Sequence, residues 1–175
     1  AMLRQSLDIN KMFTSILKQG GTLDELTHAL SDTICCPVIV EDVHKKILSY
    51  AYYPIKDFPS EGYWLAAYRA IRGRWEETVD GSAVMLSSPS DPSCKYALVR
   101  ATYRSQMLGS VLAAYAGEFD EINRIALENA ASFISLALAT EKSQMEKEAT
   151  VKQSILNDLL HGNVPVWDDY SFWFK

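Results

Sequence analysis

The chain has 175 residues, of which 48% are hydrophobic and 22% charged, and its formal net charge is -5. This balance excludes wholesale disorder and suits one ordinary domain with additional helices at its ends. No block of basic residues marks a nucleic-acid surface, and the apolar stretches are too short and too interrupted to span a membrane.

The N-terminal part of the chain predicts two helices followed by a β-hairpin. Apolar residues within 3–17 recur at helical spacing, and Gly20–Gly21 ends this helix. Thr22, with Glu25 three residues later, forms the sequence pattern of a capping box for the next helix. The runs "CCPVIVED" and "KKILSYAYY", separated by a short turn, predict a hairpin.

The remainder predicts a helix, three strands and a long helix. The helix is "SEGYWLAAYRAIRGRW", the first strand is "SAVMLSS", and two further strands lie in "CKYALVRATYRSQMLGSVLAAYAG". In the last of them, Gly109 lies where a side chain would crowd a neighbour. The segment from Glu118 to Leu160 contains no Gly or Pro. This order predicts an α+β fold: an antiparallel sheet of about five to six strands flanked by helices, with an N-terminal helix and a long C-terminal helix.

Two segments of the sequence resemble the GAF family. The segment "LDELTHALSDTICCPVIVEDVHKKILSYA" resembles its opening helix and hairpin, and "YRSQMLGSVLAAYAGEFDEINRIALENAASFISLALATEK" resembles its last two strands and final helix. The closing "ILNDLLHGNV" is similar to the segment that joins sensor to output in bacterial PucR-type transcription regulators. We therefore expect an N-terminal helix (1–20), a GAF-like sensor domain (21–141), a stalk helix (142–162) and the start of a module missing from this chain (163–175).

The resemblance implies a regulatory domain without enzymatic activity or cofactor. It would sense a small cytoplasmic metabolite, form a homodimer, and control DNA only through a C-terminal domain that this chain lacks, with no membrane contact. We do not expect a cyclic nucleotide, because the contiguous "FDE" at 119–121 is not the spaced signature of such GAF domains. The chemical identity of the ligand stays open. The alternative is a degenerate GAF-like scaffold whose filled core serves only dimerisation.

The resemblance also places the ligand between the sheet and a helix-loop cover, here residues 54–80. The implied ligand-binding residues are Trp64, Tyr68 and Trp75 of the cover and Met85, Tyr96 and Arg100 of the strands. Aromatic rings stack on planar ligands, and an Arg pairs with a carboxylate or phosphate. Core packing is the alternative role for the aromatic residues, and a solvent-exposed strand edge is the alternative for the Arg.

The three cysteines allow a third interpretation, because some GAF-fold proteins reduce free methionine sulfoxide. Cys35 and Cys36 are consecutive at a predicted strand start, so they would point to opposite faces and pair poorly with each other. Cys94 would approach them only if the fold brought it close. We favour buried structural thiols in a reducing cytoplasm, since the chain shows no export signal. The three histidines have no metal-ligand spacing, and we expect no metal.

The second half of the long helix carries a sparse apolar seam. Leu138, Met145 and Leu159 are separated by multiples of seven residues, and Ile155 lies near the same line. Charged residues interrupt this seam, which argues against a long, tight coiled coil. We predict that this helix pairs, in parallel or antiparallel orientation, with the N-terminal helix to give a homodimer; the alternative is a solvated linker.

Overall fold

The helices and strands follow one another in the order predicted from the sequence. The computed structural model describes residues 2–56, 58, 60–74, 78, 81–89 and 92–161. Its elements are α1 (Met2–Lys18), α2 (Leu23–Ile34), β1 (Val38–Asp42), β2 (Ile47–Ala51), α3 (Glu61–Tyr68), β3 (Val84–Ser87), β4 (Lys95–Tyr103), β5 (Gln106–Tyr115) and α4 (Glu121–Leu160). The predicted α+β architecture, with its N-terminal helix and long C-terminal helix, is confirmed.

The described strands form one antiparallel sheet of five strands in the order β2-β1-β5-β4-β3. Strand β1 lies between β2 and β5, so the N-terminal hairpin joins the C-terminal strand pair near the middle of the sheet. Arg104 and Ser105 turn β4 into β5 with φ angles of 49° and 64°. Positive φ at both central residues matches the right-handed twist of a hairpin.

One face of the sheet packs against α1, α2 and the first half of α4. The strand residues on this face, among them Val40, Val99 and Val111, are buried in one apolar cluster with side chains of these helices. Phe13 of α1 is fully buried, and its ring centroid lies 5.5 Å from that of Phe133 on α4. Removing such an aromatic side chain typically costs about 3–5 kcal/mol, so α1 is an integral part of this core.

The opposite face of the sheet packs against the segment that connects β2 to β3. This segment contains the region 54–80 that was predicted to cover the sheet. From here on, the cover denotes the described residues 52–74 of the segment, which include α3. Its side chains Phe58, Trp64 and Ile71 are buried in a second apolar cluster with strand residues such as Leu98 and Leu112. The two faces of the sheet thus carry separate cores, because successive strand residues point to opposite sides.

The described residues up to Leu138 form one compact unit, and those from Ala139 onward form a second. The first unit contains α1, the sheet, the cover and the first half of α4. In the second unit Met145 is 70% exposed, Ile155 is buried and Leu159 is half-buried. The part assigned to a downstream module, 163–175, lies outside the described residues. Over the described part of the chain, no helix has the length and apolar character needed to cross a membrane.

Two local features predicted from the sequence are confirmed. Glu25 donates its backbone N–H to Thr22 Oγ1 (3.3 Å), and Thr22 donates its own to Glu25 Oε2 (3.1 Å), completing the capping box at the start of α2. At Gly109, a Cβ would overlap the carbonyl oxygen of Glu41 on the neighbouring strand. Glycine is therefore required there by the close approach of β1 to β5.

Candidate functional site

A fully buried carboxylate, that of Glu41 on β1, lies beneath the cover. The Tyr68 hydroxyl donates a hydrogen bond to its Oε2 atom. The Gly73 backbone N–H (3.2 Å) and the Ser110 hydroxyl (3.1 Å) donate to Oε1. We call these four residues the Glu41 cluster. Two donors belong to the cover and one to β5, so the cluster joins the cover to the sheet.

Local sequence features bring these groups together. In "VIVED", the strand alternation places Glu41 on the same face as Ile39, which is buried under the cover. Tyr68 is the last residue of α3. Gly73 has a φ of 78°, a backbone conformation that glycine adopts without strain. This conformation turns the chain back after α3, so that its amide faces the carboxylate.

Burial dominates the electrostatics of this cluster. It raises the pKa of Tyr68 above its ordinary value, and the hydrogen bond to Glu41 raises it further. A buried charge is costly unless it is paired or hydrogen-bonded. The three donors around Glu41 supply this compensation. The cluster is therefore a set of hydrogen-bonded polar groups that lies between two apolar surfaces.

A second polar contact continues the cluster across the sheet. The strand register places Glu41 opposite Ser110 and Ser110 opposite Arg100, so that β1, β5 and β4 each present one polar residue to this side. Arg100 is half-buried, and its Nε donates to Thr78 Oγ1 at 2.7 Å. An acidic and a basic side chain therefore lie in one row beneath the segment between β2 and β3.

Next to this polar row, aromatic rings fill the space between the sheet and the cover. Trp64 is almost fully buried, and its ring centroid lies 6.0 Å from those of Tyr50 and Tyr52. The rings of Phe58 and Tyr96 are 6.1 Å apart, and both residues are buried. Such tilted pairs add packing energy beyond simple burial. Among the described residues, this layer is packed by the protein's own side chains.

The residues predicted to bind a ligand divide into three groups. Trp64, Tyr68 and Tyr96 are buried on the cover side of the sheet, and Arg100 lies on the same side. Met85 does not join them: it pairs with Ala97, which faces the helices, and it is 41% exposed. Strand alternation places its neighbours, rather than Met85, under the cover. Trp75 lies outside the described residues.

The cysteines are distributed over both sides of the sheet. Cys36 is buried in the core on the helix side, and Cys94 in the core on the cover side. Burial raises the pKa of Cys36 to about 12, with a smaller contribution from the neighbouring Cys35. Cys35 is exposed at the C-cap of α2 with a φ of 53°. Cys36 and Cys94 therefore lie on opposite faces of the sheet.

No group of three metal-ligating side chains is close enough to hold an ion in the part of the chain that the structure describes. His28 is exposed on α2, and its Nδ1 lies 2.7 Å from the backbone oxygen of Asp24. His161 follows α4, and its Nδ1 lies 2.7 Å from the backbone oxygen of Asn157.

The Glu41 cluster was not predicted from the sequence. One signal was present: an acidic residue stands two positions after Ile39 in an apolar strand, where the alternation predicts an inward side chain. The partners of Glu41 are 27, 32 and 69 residues away in the chain. Only the tertiary structure identifies them.

The fold defined by these elements is GAF-like, as comparison with solved structures shows. The GAF domain of an Acinetobacter phosphoenolpyruvate-protein phosphotransferase matches with a TM-score of 0.54 and 11% identity, over 78% of this chain and 94% of that chain. The GAF domain of the corresponding Coxiella burnetii protein matches with a TM-score of 0.51 and 11% identity, over 82% and 98%. No protein-family model and no curated protein matches the sequence.

Proposed function

We propose that this chain is a regulatory domain that senses a small molecule through the position of its cover. The observation that carries the proposal is the Glu41 cluster, in which the cover donates two hydrogen bonds to a carboxylate buried on the sheet. The GAF-like fold supports the same function, since the two solved structures described above are GAF domains of phosphotransferase proteins. Trp64, Tyr68, Tyr96 and Arg100 are the residues of the predicted ligand set that adjoin this region.

A buried polar cluster by itself adds little to the stability of a protein. Replacing buried ionic groups by apolar side chains is often neutral or stabilising. Hydrogen bonds are directional, however, and they define one position of the cover relative to β1 and β5 more sharply than apolar contacts do. A ligand that favours or opposes this position shifts the equilibrium between cover states. This property suits a sensor.

We further propose that the domain belongs to a PucR-type transcription regulator and acts without catalysing a reaction. In this proposal the second half of α4 transmits the state of the sensor to a DNA-binding domain outside this chain. Exposed apolar residues on that half, including Met145 and Leu156, support pairing of two copies. Sedimentation over a range of concentrations tests the homodimer. A monomer at all concentrations contradicts it, while Met145→Glu should weaken a dimer that does form.

The packed aromatic layer favours a second candidate function. Trp64, Tyr96 and Phe58 are buried between the sheet and the cover. The second candidate is therefore a scaffold that dimerises a regulator without binding a ligand. The two candidates differ in one measurable property. A sensor gains stability from a specific metabolite, and a scaffold does not.

The experiment is thermal unfolding of the chain in the presence of a metabolite panel. The panel contains purines and their breakdown products, amino acids, and dicarboxylic acids. A ligand at a hundred times its dissociation constant adds about 2.7 kcal/mol to the free energy of unfolding. In a protein of this size that corresponds to a rise of roughly 5–10 °C in Tm.

A single metabolite class that raises Tm in a saturable manner supports the sensor. Glu41→Gln serves as the comparison variant, since it retains the size of the side chain and alters the hydrogen bonds of the cover. The sensor proposal predicts a changed affinity in this variant. If no compound of the panel shifts Tm in a well-folded sample, the scaffold is the better description.

A further inference from the structure

We propose that the cleft between the β1–β2 turn and the C-terminal end of α3 binds a small organic anion, one with a carboxylate or phosphate group and a compact apolar body. This inference rests on the proposed sensing function and specifies where the ligand binds and its chemical class. The cleft has a volume of about 350 Å³, which lies within the range of small-molecule sites. We call it the basic cleft.

Four cationic side chains line the basic cleft. Lys45 and Lys46 belong to the β1–β2 turn, and Arg69 and Arg72 lie at the end of α3. Two elements distant in sequence thus direct their positive charges to one place. This local concentration of positive charge contrasts with the net charge of -5 of the whole chain. It attracts anions.

The acidic groups near the basic cleft are engaged elsewhere. Asp42 accepts hydrogen bonds from the backbone N–H groups of His44 (2.8 Å) and Lys46 (2.9 Å). Glu41 is buried and accepts from its own cluster. Within the described residues none of the four cations forms a salt bridge. Counting the described residues alone, four cations lie near the two carboxylates of Glu41 and Asp42, which leaves two positive charges at this place.

The cleft is also held in shape before any ligand arrives. Arg72 Nε donates to the Lys45 backbone oxygen at 2.6 Å, which ties the end of α3 to the β1–β2 turn. The Lys45 side chain lies against Gly73, where an added Cβ would be 2.5 Å from Lys45 Cε. Asp42 N–H donates to the Lys46 oxygen at 2.9 Å and closes the turn. Preorganised groups bind with a smaller entropic cost.

Apolar surface completes the basic cleft. Its other lining residues are Ile47, Leu65 and Tyr68. These side chains suit an aliphatic or aromatic body, whereas the guanidinium groups of Arg69 and Arg72 suit a carboxylate or phosphate. Inorganic phosphate alone would use only the charged part. We therefore expect an organic anion to bind more tightly than a bare one.

The basic cleft is connected to the Glu41 cluster through Tyr68 and Arg72. Tyr68 is one of the residues that line the cleft, and it donates its hydroxyl to Glu41 beneath. Arg72 lines the cleft, and the next residue, Gly73, donates its backbone N–H to the same carboxylate. An anion in the cleft thus contacts Tyr68 and Arg72, which belong to the two parts of the cover that hold the cover on the sheet.

The test uses phenyl phosphate as probe, with benzoate, inorganic phosphate and benzylamine for comparison. Titration is followed by amide chemical shifts of the full chain in millimolar probe. We expect saturable shifts at 45–47 and 65–73 with phenyl phosphate and benzoate, weaker ones with phosphate, and none with benzylamine. The double variant Lys46→Gln/Arg69→Gln should weaken phenyl phosphate binding about tenfold, or about 1.4 kcal/mol. The matched control is Lys142→Gln/Lys147→Gln on α4, which removes the same charge.

Absence of saturable shifts with both organic anions overturns the inference, as does equal weakening in the two double variants. The proposed function has a separate criterion. If a metabolite raises Tm equally in the native chain and in Lys46→Gln/Arg69→Gln, sensing stands and the basic cleft is not its site. If no metabolite raises Tm and no anion binds, both proposals fail.

Discussion

The hydroxyl of Tyr68 donates a hydrogen bond to the carboxylate of Glu41, and both side chains are buried between the cover and the sheet. The bond connects the end of α3 to the strand that lies between β2 and β5. Since Gly73 donates to the same carboxylate, the end of α3 and the turn that follows it share one acceptor. A change at this acceptor is therefore expected to affect the whole C-terminal part of the cover.

Replacing Glu41 by Gln should destabilise the domain. The amide has one acceptor oxygen where the carboxylate has two, so donors of the Glu41 cluster lose a partner. Leaving a buried polar group unsatisfied costs about 1–3 kcal/mol. Urea unfolding of Glu41→Gln measures this loss. The control is Glu148→Gln, at an exposed position of α4, and an equal free energy of unfolding in the two variants would contradict the role assigned to Glu41.

The stability of the domain should fall in alkaline solution, partly because of Tyr68. Its pKa is raised in the folded state by burial and by Glu41, so folding favours the neutral phenol. The corresponding stability is complete below the unfolded pKa of about 10 and is lost as pH rises above it. Tyr68→Phe should be less stable at pH 8 and show a shallower decline above pH 10.

The exposed Tyr63 on the same helix provides the matched control for this pH dependence. Free energies of unfolding of the native chain, Tyr68→Phe and Tyr63→Phe are compared from neutral to alkaline pH by urea titration. Tyr68→Phe should differ from the other two proteins. Identical slopes for the two variants would show that Tyr68 does not contribute to the alkaline loss.

Replacing Gly109 and Gly62 by alanine should have opposite effects on the stability of the domain. A Cβ at Gly109 overlaps the Glu41 carbonyl oxygen, and forcing atoms into a packed site costs about 1–3 kcal/mol. A Cβ at Gly62 meets no atom within 4 Å, and Ala in place of Gly in a helix gains up to about 1 kcal/mol. Thermal unfolding of Gly109→Ala and Gly62→Ala checks both signs, and a neutral Gly109→Ala would contradict the close approach of β1 and β5.

The thiols should differ in reactivity in the folded protein. Cys35 is exposed, whereas Cys36 and Cys94 are buried, and burial raises the pKa of Cys36 to about 12. The thiolate is the reactive form. Iodoacetamide at pH 8, followed by mass spectrometry, should modify Cys35 first and the other two only after unfolding. Rapid labelling of Cys36 or Cys94 in the native state would revive the interpretation as a thiol-dependent reductase.

The order of the elements was predictable because each element carries its own local signal. The capping box at Thr22 depends on two residues three positions apart, so it was found from the sequence. A glycine within an apolar strand also indicated close packing at Gly109, although its neighbour, Glu41, is distant in the chain. Met85 was misplaced because β3 is a short edge strand of four residues. The face of the sheet on which Met85 lies is set by its pairing with Ala97 on β4. The sequence alone does not indicate this pairing.

The Glu41 cluster and the basic cleft were not predictable in the same way. Glu41 is part of an apolar strand, and its buried state depends on a hydroxyl and an amide from the cover. The lysines at 45–46 and the arginines at 69 and 72 are ordinary surface charges in the sequence. They form a site only because Arg72 binds the β1–β2 turn at Lys45.

Hydrogen exchange at the Gly73 amide tests the sensing account most directly. This N–H donates to buried Glu41, so its exchange rate reports the opening of the cover. A ligand that raises Tm should slow exchange at Gly73 beyond the general slowing seen at Ala113 in the helix-side core. If the ligand slows exchange at Ala113 and leaves Gly73 unchanged, the cover is not the sensing element.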